Sequence, residues 1–373
     1  MERRYGIRLD ELLADAALHP AVLRGLLPRR EHFLQPFARL RQRSEQRGNA
    51  RAYVAGLLSP LRRKNAAAIA YHHDQGRQAL QQFLGQAPWD QQPLLAALAR
   101  QVGRELGASE AVLVFDPSAF AKHGTASVGV QRQGCGRLGK VANGPVGVYR
   151  GYVARTEHAL VDGRLYLPRE WANDKARRHK AGVPKEVRFR TRHRLALERL
   201  DEHGTRLPHG GVTGDDERGR ARWFRQQLRQ RQERYLRAVP SNTAIGDLQA
   251  EPPPKPARGP RPRVPFVRVR RWGAALPEVA GRPIAVRDGE KGPLLTQAVK
   301  VRLVAKAARR RAGPAAVLVI FRARQGDGRW KHDYYRAAAP GETPLAAFAR
   351  VVKAGHASAD GLKRAKSEAG LAD

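Results

Sequence analysis

Three acidic residues stand out in a basic chain for where they fall. Asp116 closes the apolar run Ala111-Val112-Leu113-Val114-Phe115. Asp215 follows Gly211-Val212-Thr213-Gly214, and Glu368 ends the helical stretch Leu362-Lys363-Arg364-Ala365-Lys366-Ser367-Glu368. Carboxylates at the ends of buried strands are hard oxygen donors on rigid supports. They suit Mg²⁺ or Mn²⁺, which keeps part of its water shell and so needs only two or three of them. Two such ions about 3.5–4 Å apart can activate an attacking water or 3′-hydroxyl and stabilise the leaving oxygen of a phosphodiester. Each acid also has an ordinary reading: aspartates cap turns after strands, and most helix glutamates face solvent. Asp216 and Glu217 adjoin Asp215, so these residues by themselves leave open which acid is the ligand.

The charge balance favours a polyanionic partner. The 373 residues carry 70 Lys+Arg against 34 Asp+Glu, and 70 − 34 gives +36. That excess runs from the first helix to the C-terminus, so counterion release makes nucleic acid the leading partner. A membrane-surface role ranks below it, because the chain has no basic amphipathic anchor or lipidation motif. Cys135 is the only cysteine, which excludes an intrachain disulfide and a Cys-based zinc site and fits a reducing compartment. Met1-Glu2-Arg3-Arg4 is not followed by an apolar signal core, and no stretch reaches the roughly 20 apolar residues of a membrane helix. A cytoplasmic, nucleoid-associated location is expected.

These residues need a scaffold, and the pattern divides it into four parts. Residues 1–105 read as a helical domain for DNA binding or oligomerisation, with Leu9, Leu12, Leu13 and Ala16, and Leu94, Leu95, Leu98 and Val102, at helical spacing. Residues 106–250 alternate strands and helices, as an α/β sheet does. Ala111–Phe115 is a buried strand ended by Pro117-Ser118. Val146–Val153 and Ala159–Leu167 continue a meander with Asp162-Gly163 at its turn. Arg194–His203 and Arg220–Arg234 are helices, and Tyr235–Val239 is a strand. Residues 251–340 hold a proline-rich linker and a mostly β insertion, with strands expected at Val264–Arg270, Ala298–Ala305, Ala315–Arg322 and Lys331–Ala337. Residues 341–373 form a last helical part, broken near Gly355, that carries Glu368.

Other motifs carry less. Gly134-Cys135-Gly136-Arg137-Leu138-Gly139-Lys140 has the spacing of a P-loop, but Val141 replaces the Ser or Thr and a strand follows. Without a helix N-terminus the anion site loses its basis, and a turn with Lys140 facing DNA fits better. Tyr71-His72-His73-Asp74 lacks a second ligand group at zinc-like spacing. The clusters Arg188–Arg194, Arg218–Arg225, Arg268–Arg271 and Lys306–Arg311 are solvated faces or phosphate contacts. Trp272 and Trp330 are core residues or base-stacking platforms.

The chain resembles the DDE-type transposases of bacterial insertion sequences, within the RNase H-like superfamily. The blocks are Val114-Phe115-Asp116-Pro117-Ser118-Ala119-Phe120-Ala121-Lys122-His123-Gly124, Ser127–Gln133 into Gly136–Val141, Leu165-Tyr166-Leu167-Pro168 with Trp171, and Gly182-Val183-Pro184. Then come Val212–Glu217, Val239-Pro240-Ser241-Asn242-Thr243 and Lys366-Ser367-Glu368-Ala369-Gly370-Leu371. Ala52-Tyr53…Gly56-Leu57-Leu58 and Trp89-Asp90 also look like the N-terminal region of these proteins. The resemblance implies an RNase H-like mixed sheet flanked by helices, with a helical N-terminal domain and a β insertion. It implies a catalytic, metal-binding triad of Asp116, Asp215 and Glu368 for two Mg²⁺ or Mn²⁺ ions. Of the family's Tyr-x2-Arg-x3-Glu pattern, Arg364 and Glu368 match while Gly361 stands at the tyrosine position. The intervals are 215 − 116 = 99 and 368 − 215 = 153 residues, the second long enough to contain the insertion.

The implied activity is metal-dependent cleavage and strand transfer at insertion-sequence ends. The implied partners are double-stranded DNA, both terminal inverted repeats and target, and further copies of the chain assembled on it. Lys122, Lys140, Arg190, Arg364 and Lys366 are the expected phosphate contacts. Family members continue beyond the position of Asp373, so a C-terminally truncated copy is expected. A catalytically inactive or domesticated DNA-binding protein, or a simple nuclease of the same fold, stays open beside the transposase.

Overall fold

The computed structural model describes residues 21, 24–87, 90–135, 139–155, 157–214, 222–251, 254, 257–258, 265–289, 292–306 and 312–371. They fall into two compact units, one of residues 1–98 with 365–373 and the other of residues 99–364.

The smaller unit is helical. Its helices are Leu26–Ala38, Ser44–Leu57, Ala66–His72 and Arg77–Gly85; the last two bury Ile69, Ala70, Leu80 and Phe83, with Tyr53, Leu57 and Leu61 against them. Gly56 lets two helices close up, since a methyl there would sit 2.4 Å from Ile69 Cγ2. Asn65 caps the third helix by accepting from the Ala68 N–H at 2.9 Å. The pattern Leu9–Ala16 lies outside the described residues, as does Trp89.

The larger unit is built on an 11-stranded mixed sheet. Its strands are β1 (Val112–Ala119), β4 (Val146–Ala154), β5 (Glu157–Tyr166), β6 (Gly211–Gly214), β7 (Tyr235–Ala238), β8 (Ala244–Asp247), β9 (Val267–Arg268), β10 (Arg282–Gly289), β11 (Gly292–Lys306), β12 (Ala312–Arg324) and β13 (Trp330–Ala338). A separate hairpin pairs β2 (Gln131–Cys135) with β3 (Lys140–Gly144). The order is β5-β4-β1-β6-β7-β13-β12-β11-β8-β9, with β10 also on β11. β4 pairs antiparallel with both β5 and β1, while β6 pairs parallel with both β1 and β7. This is the mixed, helix-flanked sheet of an RNase H-like fold. The insertion is no separate body: β13 pairs with β7, so β10–β13 extend the same sheet.

Strand alternation assigns the faces. Val112 and Val114 of β1, with Val153 of β4, pack on Ala354 of the helix Leu345–Ser367. Phe115 and its partner Arg150 point the other way, towards the helix Arg192–His203, where Arg150 Nη1 donates to the Arg199 carbonyl at 2.5 Å. Further along, Phe348 and Ala349 bury against Leu236, Val317, Val319 and Ala337.

Four expectations are corrected. Asp116 does not end β1, which continues through Pro117-Ser118 to Ala119 against β4. Beyond Phe115, β4 is its one paired neighbour among the described residues, and a half-paired strand tolerates proline. Asp162-Gly163 lies inside β5, because Asp162 is buried with two arginines. Of the strand expected at Val264–Arg270, the described residues 265–270 hold only the two-residue β9 before the helix Val269–Ala274 begins, since burial of Val269 outweighs its β-propensity. The last helix runs unbroken through Gly355, where a methyl would meet nothing within 4 Å. A single glycine costs a helix only about 1 kcal/mol.

Candidate active site

Burial along β1 changes at the acid. Val112–Phe115 are buried, whereas Asp116–Ala119 are half-buried. Asp116 thus stands where the strand emerges from the core, on a backbone held by β4. Its direct partner there is Tyr149, and residues opposite each other in an antiparallel pair share a face. The Tyr149 phenol is pushed up to about 12 by burial.

On the other side of β1, Phe115 pairs with Gly214 of β6. Gly214 has φ 156°, and a methyl on it would lie 2.2 Å from the Phe115 carbonyl oxygen and 2.9 Å from Arg237 Nη1. Only glycine brings the two strands this close. Thr213 anchors the same end by donating its hydroxyl to the Leu236 carbonyl at 2.8 Å. Arg237 is buried, with its guanidinium 5.1 Å from the centre of the Phe224 ring. Together with Phe115, Pro117, Val148, Arg192 and Ala196 it lines a small hollow beside the helix Arg192–His203, on the face away from Asp116.

Asp116 belongs to the larger unit. Asp215, with Asp216 and Glu217, lies outside the described residues. Glu368 belongs to the smaller unit, exposed one residue past the helix, and its carbonyl accepts from Lys64 Nζ. Among the described residues, no three His, Cys, Asp or Glu side chains are grouped to hold a metal ion.

The predicted cations differ in availability. Lys122 and Lys140 are exposed. The Lys122 backbone is fixed twice by Asn143, whose carbonyl accepts at 2.9 Å and whose Nδ2 donates at 2.8 Å. Arg190 donates to Glu198 at 3.0 Å, a carboxylate shared with Arg194. Arg364 is exposed and Lys366 is buried.

Several other arginines are structural ties. Arg178 holds the Pro184 and Val187 carbonyls, each at 2.8 Å. Arg177 stacks 3.8 Å from the centre of the Trp171 ring and donates to the Thr125 carbonyl. Both unassigned tryptophans are engaged internally. Trp272 Nε1 donates to Asp247 at 3.1 Å, and Trp330 lies under Arg322 at 4.5 Å. Arg218–Ala221 and residues 307–311 lie outside the described residues.

Sequence reading missed one polar cluster. Asp162 sits between Arg150 at 3.3 Å and Arg199 at 3.8 Å, all three buried, and Arg199 also pairs with Glu202. Burial lowers the Arg150 pKa to about 10, against the opposing pull of Asp162. The one signal was an arginine inside the apolar run Val146–Ala154.

This fold accords with the comparison to known families. Residues 32–293, well over half the chain, match the family described as DDE superfamily endonuclease, and the chain belongs to that family. It is thus of the class that cuts DNA with divalent metal ions. No curated protein matches it.

Proposed function

We propose that the protein is a transposase that cleaves insertion-sequence ends and joins the freed 3′-hydroxyl to target DNA. The observation that carries this is the pairing of Phe115 with Gly214. In the sequence each is followed by an aspartate that the resemblance marks, Asp116 after Phe115 and Asp215 after Gly214. Parallel pairing in register is what supports reading these two distant acids as one site. Asp116 and Asp215 are proposed to hold the metal, and Glu368 to complete the set. Bound divalent ions supply charge neutralisation and an activated oxygen nucleophile. The exposed Lys122, Lys140 and Arg364 are proposed to meet DNA phosphates, with further copies of the chain assembled on the ends.

The test is nicking of a duplex bearing the flanking inverted repeats, with Mn²⁺. Asp116→Asn is expected to abolish cutting and leave the band shift intact; unchanged cutting would falsify the assignment. A second reading is a catalytically inactive DNA-binding protein of the same fold. A band shift by the unaltered protein without nicking would favour it.

A further inference from the structure

The ring of Tyr149 lies across two glycines. A methyl on Gly147 would sit 2.6 Å from its Cε2 and 2.9 Å from its hydroxyl oxygen. A methyl on Gly163 would sit 3.0 Å from both Cδ1 and Cε1. Gly163 is the direct partner of Tyr149 on β5, and Gly147 lies two residues before it on β4. All three therefore share the face of the sheet that carries Asp116.

The hydroxyl edge lies over Gly147, whose partner on β1 is Ser118. The side chain thus leans past Asp116 towards the half-buried end of β1. The Phe120 ring stands 6.2 Å away at 59° and limits its swing. Tyr149 is half-buried, and among the described residues its hydroxyl makes no hydrogen bond. A ring needed only to fill the trough would do so as phenylalanine.

We propose that Tyr149 is a substrate-contacting residue of the Asp116 site, its hydroxyl donating a hydrogen bond to a phosphate oxygen of the strand being cut. Asp116 is then given a neutral donor on its β4 side. A phenol ordinarily loses its proton only at about pH 10, so in the working range it acts as a donor and not as a base. The inference rests on the reading of Asp116 as a site residue.

The experiment is single-turnover nicking of supercoiled plasmid DNA with Mn²⁺ at saturating protein, alongside band shifts and thermal melts. Tyr149→Phe keeps the ring and removes one oxygen. It is expected to cut about 10- to 100-fold more slowly, the loss of a hydrogen bond to a charged group. Binding and melting should be unchanged, and the rate deficit constant from about pH 7 to 9. Gly147→Ala, which keeps the hydroxyl but displaces it, should also slow cutting. Wild-type rates in Tyr149→Phe would overturn the inference and leave the ring as sheet filling. If Asp116→Asn cuts normally, or the unaltered protein does not cut, the site reading itself fails, and the inference with it.

Discussion

At the scale of single residues, the informative ones are polar groups in apolar settings. Asp162 sits between two buried arginines and, among the described residues, is the one acid paired with Arg150, whereas Arg199 also meets Glu202. Removing an ion's only counter-charge in the interior costs several kcal/mol, whereas removing one of two like partners costs less. Asp162→Asn is therefore expected to lower stability by about 3–5 kcal/mol. Arg150→Met, which leaves Asp162 facing Arg199, should cost clearly less. Urea titrations of the two variants compare them, and equal losses would show that the three charges do not act as a set. Asp116 differs from Asp162 in kind, being half-buried at the point where β1 leaves the core. The proposed role of Asp116, exchanging water for a cation, needs that access.

At the scale of elements, two parallel strands must enter the sheet in step, and a charged pair joins their lead-ins. His209 precedes β6 and Glu233 precedes β7. His209 Nε2 lies 3.1 Å from Glu233 and Nδ1 lies 2.6 Å from the Leu207 carbonyl. Both contacts are made by N–H donors only when the ring is protonated. Burial opposes the charge and Arg150 repels it, but the hydrogen bonds to Glu233 and Leu207 prevail and the His209 pKa is raised above 6.5. A raised histidine stabilises the fold fully below its unfolded value, and that contribution is lost as pH climbs through the folded value. Stability should thus fall on raising pH above 6.5, and His209→Gln should flatten this part of the profile. A profile unaltered by the substitution would mean that the pair carries no proton-linked energy.

At the scale of the whole molecule, +36 overstates the charge offered to DNA. Arg150, Arg177, Arg178 and Arg322 are spent on carbonyls, rings and buried acids within the protein. Affinity for DNA should fall linearly on a log–log plot against salt, with a slope near −0.9 per phosphate contacted. A slope corresponding to roughly 6–10 contacts, a loss of about 10³–10⁵ between 50 and 200 mM salt, is expected. A slope approaching the full net charge would show that these internal ties do not hold in solution.

How much could be read in advance follows the range of the forces involved. Local pattern carried the buried run before Asp116, the helix after Thr191 and the long insertion strands, because periodicity and turn chemistry act over a few residues. The same local rules misplaced the turn at Asp162-Gly163 and ended β1 too early at Pro117. Whether an aspartate is turned to solvent or buried between arginines depends on residues 12 and 37 positions away (162 − 150 and 199 − 162). The pairing of Phe115 with Gly214, the extension of the sheet through β13 onto β7, and the seat of Tyr149 over two glycines were decided by tertiary structure alone. Each joins segments that share no local signal, and only their packing into one sheet makes them neighbours.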